Sequence, residues 1–124
     1  MLTVTKMFDI CYGHRLPGYD GPCGGFHGHN SRIEVEFRRG TEPYPTMVED
    51  FGSIKRDVGP IIQALDHRNL NEIFDYPTAE TIAEYIAGVI MNSYPNSYGE
   101  MLVRIRVYET PTSYVEWRKD GCYS

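Results

Sequence analysis

Three histidines near the start of the chain are spaced so that they could hold one metal ion. His27 and His29 are separated by a single glycine, and in an extended chain residues i and i+2 project to the same side. His14 lies at the end of the first predicted strand, so pairing of this strand with the next would bring it beside His29. Three imidazole ligands with one coordination position left open are a usual arrangement of a catalytic zinc. Two surface histidines around a flexible glycine remain the alternative interpretation of the short motif.

A cysteine precedes this pair of histidines in a glycine-rich loop. Zinc and imidazoles near Cys23 would favour its thiolate, which could act as a base or a nucleophile. Its alternatives are a fourth metal ligand, which would close the site and make it structural, and an ordinary small loop residue. Cys11, on the first predicted strand, and Cys122, near the end of the sequence, show no comparable pattern.

Two further carboxylates could serve proton transfer or ligand binding. Asp66 precedes His67 at the end of the first predicted helix, and a neighbouring carboxylate raises the basicity of an imidazole and fixes its orientation. The pattern alone favours the other interpretation, a cationic histidine at the negative end of the helix dipole. Glu109 ends a predicted strand, where it is either a solvated strand end or a carboxylate at the floor of a pocket that accepts N–H donors from a ligand.

The strands that must position these residues are predicted from alternating apolar residues. The second strand has one buried and one wet face, because Ile33, Val35 and Phe37 alternate with charged residues. Residues 13–29 form a longer connection than a hairpin needs, and such loops usually hold a site. The four predicted strands cover residues 2–11, 32–38, 103–109 and 114–118.

Two stretches with helical spacing lie between these pairs of strands. The first begins at Phe51 with Asp50 as its N-cap, and the second begins after Pro77 with Thr78 as its N-cap. Gly59-Pro60 predicts a kink or break in the first helix, because proline removes a helix hydrogen bond and clashes with the preceding turn. Such a break would shift the geometry of the Asp66-His67 pair.

The order β-β-α-α-β-β predicts an α+β fold, with two helices on one face of a four-stranded antiparallel sheet. We expect one domain over residues 1–124, with a loose tail at 119–124. A sheet of this kind leaves open edges, which a soluble protein must cover or pair with a neighbour, so we expect an oligomer.

Composition excludes several classes of protein. The chain has 124 residues, 41% of them hydrophobic, which is too apolar for general disorder and fits one compact core. Its net charge of −5 disfavours nucleic acid as a partner. The longest apolar stretch is far too short for a membrane span, and the first residues lack the pattern of a signal peptide. Three cysteines, an odd number, argue against a disulfide framework, so we expect a cytoplasmic protein.

Several motifs together resemble those of a known family, the 6-pyruvoyltetrahydropterin and 6-carboxytetrahydropterin synthases, whose fold is the tunnelling fold, or T-fold. The most specific pair is Cys-x-x-x-His-Gly-His followed by Leu-Asp-His-x-x-Leu-Asn. In chain order the matching segments are His14-Arg15-Leu16, Cys23 to His29, Met47 to Phe51, Leu65 to Asn71, Pro77 to Glu80 and Glu109-Thr110.

This resemblance implies a role for each matching residue. His14, His27 and His29 would bind one Zn²⁺ per subunit, zinc being the ion that three histidines most often hold, although another metal could occupy them. Cys23 would be the proton-abstracting base, and His67 with Asp66 would relay protons. Glu109 would anchor the pterin ring, and Thr78 and Glu80 match a segment near the pterin pocket. Arg15 or Arg68 could receive the triphosphate.

The resemblance also implies a reaction and an assembly. The chain looks most like the 6-carboxytetrahydropterin synthases of queuosine (7-deazaguanine) biosynthesis. These convert 7,8-dihydroneopterin triphosphate to 6-carboxy-5,6,7,8-tetrahydropterin with release of acetaldehyde and triphosphate. Formation of 6-pyruvoyltetrahydropterin, retro-aldol cleavage to a 6-hydroxymethylpterin and a non-catalytic pterin- or metal-binding module are the alternatives. Family members place their pockets between subunits of barrel-shaped homo-oligomers, commonly hexamers built as a dimer of trimers.

Overall fold

The fold is built on one mixed sheet, seen in a computed structural model that describes residues 1–21, 25–40 and 46–120. The strands are ordered β3-β1-β2-β4-β5 across the sheet, and every neighbouring pair is antiparallel except β1 with β3. Their bounds are β1 Thr3–His14, β2 His27–Arg38, β3 Arg68–Asn69, β4 Leu102–Thr110 and β5 Ser113–Arg118.

The helical segments come from the middle of the chain. The longest is α3, and a single 3₁₀ turn at Leu70–Glu72 follows β3. The α-helices are α1 Phe51–Asp57, α2 Gly59–Gln63, α3 Ala79–Ser93 and α4 Tyr98–Met101. Within the described ranges no helix is long and apolar enough to cross a bilayer.

The core lies between these helices and one face of the sheet, which we call the inner face. Alternate residues of β2 and β4, such as Ile33, Val35 and Ile105, are fully buried there. Helical residues such as Ile54 and Ile86 belong to the same apolar cluster. The opposite, outer face carries the charged residues of these strands. The α+β fold expected from the sequence, with helices on one face of a sheet, is therefore confirmed.

The predicted starts of both helices are confirmed by the capping geometry, whereas the first helical region ends at Gln63, before the predicted end at Asp66. The Asp50 side chain accepts a hydrogen bond from the Ser53 N–H, and Thr78 does the same for Thr81. The expected break at Gly59-Pro60 separates α1 from α2, because proline occupies the first turn of the new helix, where its missing N–H costs nothing.

Three features differ from the sequence-based expectation. β1 continues to His14 and β2 begins at His27, so the connection between them is shorter than the predicted 13–29. The sheet has five strands and is mixed, not four-stranded and antiparallel as predicted, because β3, whose two residues are too few to leave a periodic pattern, pairs parallel with β1. The outer face of β2 is less wet than expected, because Glu34 is buried against Arg104 and Arg106, with Nη1 to Oε1 distances of 3.3 and 3.8 Å.

The end of the chain is tied to the sheet as far as the structure describes it. The Lys119 N–H donates to the Val103 carbonyl, and its ammonium donates to the carbonyls of Gly99 and Glu100. Residues 121–124, most of the predicted loose tail, lie outside the described residues, so that prediction stays untested.

Candidate metal centre and adjoining site

The three predicted metal ligands meet at one end of the β1–β2 hairpin. The register pairs His14 with His27 and Tyr12 with His29, so all four side chains lie on the inner face. The three imidazoles each offer a nitrogen within 4.8 Å of the others, and their ring centroids are 4.5 to 4.7 Å apart. We call His14, His27 and His29 the histidine cluster. Its geometry is that of a three-nitrogen cation site.

Backbone carbonyls fix how two of these imidazoles present their nitrogens. His14 donates through Nδ1 to the Pro77 carbonyl, and His27 donates through Nδ1 to the Gly25 carbonyl, both at 2.7 Å. Carbonyls only accept, so in the neutral rings the protons sit on Nδ1 and each Nε2 carries a lone pair. These two Nε2 atoms are 2.9 Å apart. Two facing lone pairs repel unless a proton or a metal cation lies between them.

The third imidazole has no hydrogen-bond partner for its inner nitrogen. His29 Nε2 is buried without a hydrogen bond among the described residues, although Glu109 Oε2 lies 3.3 Å away. Leaving a buried polar atom unpaired costs free energy, and a bound ion is one common explanation. The donor set of the histidine cluster therefore fits a divalent metal.

Burial favours the neutral, metal-binding form of His14. Desolvation lowers the pKa of His14, and the neighbouring His29 and His27 lower it further, against a hydrogen bond to Pro77 that raises it. A neutral imidazole is the form that ligates metals. Tyr12 packs edge-on against His14 and at a tilt against His29, with centroid distances of 5.4 and 5.5 Å. Burial raises the pKa of Tyr12, and Glu109 raises it further, so the phenol stays protonated.

The start of α3 adjoins the histidine cluster. Pro77 supplies the carbonyl that orients His14, and two of the predicted substrate-binding residues, Thr78 and Glu80, lie one and three positions after it. Thr78 is half-buried as the N-cap, whereas Glu80 is exposed in the first turn. Glu109 reaches the same region from the end of β4. Glu109 thus lies against the histidine cluster, and Thr78 is next in sequence to the residue that orients His14.

Asp66 and His67 lie on the other side of the sheet. Asp66 Oδ1 accepts from the Cys11 N–H at 2.8 Å, and its Oδ2 lies 3.0 Å from His67 Nδ1. The first of these bonds lowers the pKa of Asp66 most, and desolvation opposes it. Cys11 alternates with the buried Ile10 and Tyr12 and is exposed on the outer face. Asp66 and His67 therefore do not cap a helix. Within one chain they also do not lie next to the histidine cluster.

His67 is held in an unusual backbone conformation. Its φ is +56°, and no other non-glycine among the described residues has a positive φ. The His67 N–H donates to the Cys11 carbonyl at 2.6 Å, which holds this left-handed turn. Strained backbone of this kind is concentrated at functional sites.

A cavity of about 450 Å³ opens on the outer face beside His67. Asp66, Asn30 and Tyr108 line it, and the β4–β5 turn closes one side through Pro111. The two basic candidates, Arg15 and Arg68, are exposed at the same end of the sheet. The outer face thus offers a groove at the proposed proton relay.

Sequence reasoning singled out the three histidines of the cluster but missed their surroundings. Cys23, the predicted base, lies outside the described residues, so its place in the site stays a prediction. The carbonyls of Pro77 and Gly25 left no signal in the sequence, because any residue carries a carbonyl. Cys11 could have been singled out only by the strand pairing, which sets it beside Asn30.

Comparison with known proteins gives the family. The family model described as 6-pyruvoyl tetrahydropterin synthase matches residues 3–120. A Haemophilus influenzae protein named 6-carboxy-5,6,7,8-tetrahydropterin synthase is 30% identical over 144 aligned positions, covering 96% of this chain and 100% of its own. A Pyrococcus furiosus dihydroneopterin monophosphate aldolase is 37% identical over 87, covering 67% of this chain and 69% of its own.

A solved structure supports the same assignment. Caenorhabditis elegans 6-pyruvoyl tetrahydropterin synthase superposes with a TM-score of 0.82 at 25% identity, and the match covers 96% of each chain. The histidine motif recognised in the sequence lies inside the matched range of the family model. The chain therefore belongs to the 6-pyruvoyl tetrahydropterin synthase family.

Proposed function

We propose that the protein is a zinc-dependent lyase that converts 7,8-dihydroneopterin triphosphate to 6-carboxy-5,6,7,8-tetrahydropterin, releasing acetaldehyde and triphosphate. The observation that carries this proposal is the histidine cluster, where two Nε2 lone pairs face each other at 2.9 Å beside an unpaired third nitrogen. The relative from Haemophilus influenzae, which matches along its whole length, supports the choice of reaction. The corresponding pathway is queuosine biosynthesis, in the cytoplasm.

Zinc suits this donor set better than harder ions. Three neutral imidazoles leave one coordination position open, which is how catalytic zinc is usually held. His14, His27 and His29 would hold the ion, one per subunit. When bound, zinc acts as a Lewis acid that polarises substrate oxygens and acidifies the adjoining C–H and O–H groups.

The protein's own residues would orient the substrate and move its protons. Glu109 would accept hydrogen bonds from the amino and ring N–H groups of the pterin, with Thr78 and Glu80 near the same pocket. Cys23 would take a proton from the side chain of the substrate as a thiolate. His67 would pass protons on, because Asp66 beside it fixes its ring and stabilises the imidazolium.

The separation of the two groups of residues favours a site shared between copies of the chain. The histidine cluster and Glu109 lie on the inner face, whereas Asp66 and His67 lie on the outer face. A second copy that brings its outer face to the histidine cluster of the first would complete the set. This supports the expected homo-oligomer, a hexamer built as a dimer of trimers, in which Arg15 or Arg68 would receive the triphosphate.

Retro-aldol cleavage is the second candidate reaction. The relative from Pyrococcus furiosus is named an aldolase acting on dihydroneopterin monophosphate, and it is more similar over its shorter match than the relative from Haemophilus influenzae. Aldol cleavage would need the same zinc and the same proton transfer, but it would leave a 6-hydroxymethylpterin. Formation of 6-pyruvoyltetrahydropterin, the reaction of the structural relative from Caenorhabditis elegans, would keep the site as well.

Product analysis tests these alternatives directly. Purified, zinc-loaded protein is incubated with 7,8-dihydroneopterin triphosphate, and the products are identified by mass spectrometry. We expect 6-carboxytetrahydropterin together with acetaldehyde. A pyruvoyl product without acetaldehyde, or a 6-hydroxymethylpterin, would replace the proposed reaction with one of the other two. No conversion by protein with a full complement of zinc would leave a pterin- or metal-binding role.

A further inference from the structure

Four side chains with different donor atoms converge on the outer face. Cys11 and Asn30 are register partners on β1 and β2, and the Cys11 thiol donates to Asn30 Oδ1 at 2.9 Å. Asp66 and His67 lie across the edge of β1, and the donor atoms of Cys11, Asp66 and His67 all lie within 4.8 Å of one another. We call these four residues the outer-face cluster.

Hydrogen bonds to the backbone hold the outer-face cluster in place before any ligand binds. The Cys11 N–H fixes the Asp66 carboxylate, and the Cys11 carbonyl fixes His67 at its positive φ. Cys11 and Asn30 themselves sit on paired strands. A cation would therefore meet donors that are already ordered, which reduces the entropic cost of binding.

The donor set differs in kind from that of the histidine cluster. A soft thiolate together with an imidazole selects zinc-like cations, and a carboxylate and an amide oxygen complete four positions. The thiolate and the carboxylate together would carry two negative charges, which match a divalent ion. The histidine cluster contains no thiol among the described residues.

We propose that the outer-face cluster is a second metal site, which binds a thiophilic divalent cation through Cys11, Asp66 and His67, with Asn30 as the fourth donor. As the bond between sulfur and metal forms, the thiol proton leaves to solvent and the hydrogen bond to Asn30 Oδ1 is released. His67 binds through its ring nitrogen that carries no proton, so no proton leaves the imidazole. No electron transfer accompanies the step. The cavity lined by Cys11, Asn30, Asp66 and His67 leaves room beside these donors for the ion.

Occupation of this site would inhibit the enzyme, a consequence that rests on the proposed function. A cation bound to His67 and Asp66 would remove both from proton transfer. Zinc in excess of the histidine cluster would then lower turnover in the native protein and leave it unchanged in Cys11→Ser, which loses only the soft ligand. Activity assays at one and several equivalents of zinc compare the two proteins.

Cobalt reports the binding itself, independently of any turnover. Zinc-loaded protein is titrated with Co²⁺, and absorption is followed in the near-ultraviolet, where only a thiolate bound to cobalt gives an intense charge-transfer band. We expect the band to saturate at one added cobalt per chain. Cys11→Ser should lose the band and at least about 100-fold in affinity, more than second-shell changes usually cost. Cys23→Ser and Cys122→Ser are the matched controls and should keep both.

A second variant tests whether misfolding, rather than loss of a ligand, explains a missing band. Asp66→Asn keeps an oxygen for the Cys11 N–H but loses the negative charge, so the band should persist while affinity falls at least about tenfold. No band in the native protein, a band that survives Cys11→Ser, or one that disappears in Cys23→Ser would overturn the proposal. A protein without turnover on the pterin substrate that still gives the Cys11-dependent band would overturn the proposed function alone.

Discussion

Glu109, beside the histidine cluster, is the residue that we propose anchors the pterin ring. Its carboxylate lies 3.3 Å from His29 Nε2 at the end of β4. We expect Glu109→Gln to raise KM about 10- to 100-fold, because hydrogen bonds to a charged acceptor contribute about 1.5–3 kcal/mol. Steady-state kinetics with parallel measurement of zinc content test this prediction.

Glu84→Gln is the control for that variant, because Glu84 is exposed on α3, where we propose no contact with substrate. Its KM should be native. Loss of zinc in Glu109→Gln, with KM unchanged for the metal-loaded fraction, would instead make Glu109 a metal ligand.

Cys23 is proposed as the base, and its role can be separated from metal binding. Cys23→Ala should lower kcat at least about 100-fold, the usual contribution of a positioned base, and leave zinc bound. Cys122→Ala serves as the control for thiol loss. Unchanged turnover in Cys23→Ala would eliminate it as the base, whereas loss of zinc would make it a structural ligand.

At the residue scale the sequence was most informative where spacing and strand geometry coincide. His27 and His29 had to share a face because they are two apart in a strand, and His14 followed from pairing of the first two strands. Nothing local predicted that Asp66 would bind the Cys11 N–H, since that contact joins residues 55 positions apart. Long-range side-chain contacts of this kind need the fold.

The β1–β2 hairpin is the element on which the histidine cluster depends. Its register places His14 opposite His27, and a slip by one residue would turn every side chain of one strand to the other face. The buried residues Ile33 and Phe37 oppose such a slip, because it would expose them. The core thus determines the geometry of a site that lies at its end.

Two glycines in the α3–α4 region should respond in opposite ways to alanine. A Cβ on Gly99 would lie 2.6 Å from the Tyr94 carbonyl oxygen and 2.8 Å from Met91 Cα, so Gly99→Ala should destabilise by about 1–3 kcal/mol. Gly88 is exposed within α3 with nothing within 4 Å of its Cβ position, so Gly88→Ala should stabilise by about 0.5–1 kcal/mol. Urea unfolding of both variants provides the comparison. Equal effects would show that helix propensity, rather than the close approach of α4 to α3, controls this region.

The contact between α1 and α4 should depend on pH. Arg56 and then Tyr98 lower the pKa of Asp57 from 3.8 to about 2, and the Tyr98 hydroxyl donates to its Oδ2 at 2.7 Å. A carboxylate with a lowered pKa stabilises the fold above about pH 4 and loses that contribution as the pH falls towards 2.

Tyr98→Phe should therefore lower the free energy of unfolding by about 1.5 kcal/mol at pH 7, and the difference from the native protein should shrink below pH 4. Urea midpoints at pH 7, 4 and 3 measure it. In an Asp57→Asn background the same substitution should have a smaller, pH-independent effect. A difference that is constant with pH in the native background would contradict the role of the carboxylate.

Elements with a clear period were predictable, and short ones were not. The α3 stripe and the caps at Asp50 and Thr78 follow from local chemistry, as does the break before Pro60. The two residues of β3 pair only because the chain after α2 returns to the edge of β1. The burial of Glu34 likewise depends on Arg104, which lies on another strand.

At the scale of the whole molecule, the sheet formed by the described residues has two edges. β3 is only two residues long, and β5 forms the other edge over Ser113–Arg118. Unpaired edges are normally covered or joined to a neighbour, and joining edges in a ring would close the sheet into a barrel. Native mass spectrometry should give six chains per particle. A monomer would contradict the proposed shared site.

The placement of the histidine cluster and His67 on opposite faces has a genetic consequence. A His27→Ala chain would lack the metal, and a His67→Ala chain would lack the relay, so each alone would be inactive. When the two variants are expressed together, activity should return. A His67→Ala copy keeps its metal and can form a complete site with a neighbouring His27→Ala copy, which keeps the relay. Random mixing would restore about a quarter of the native sites. Conversely, when one allele is defective and the other normal, some sites that include a normal subunit would also be inactive, because the other subunit of that site is the defective one.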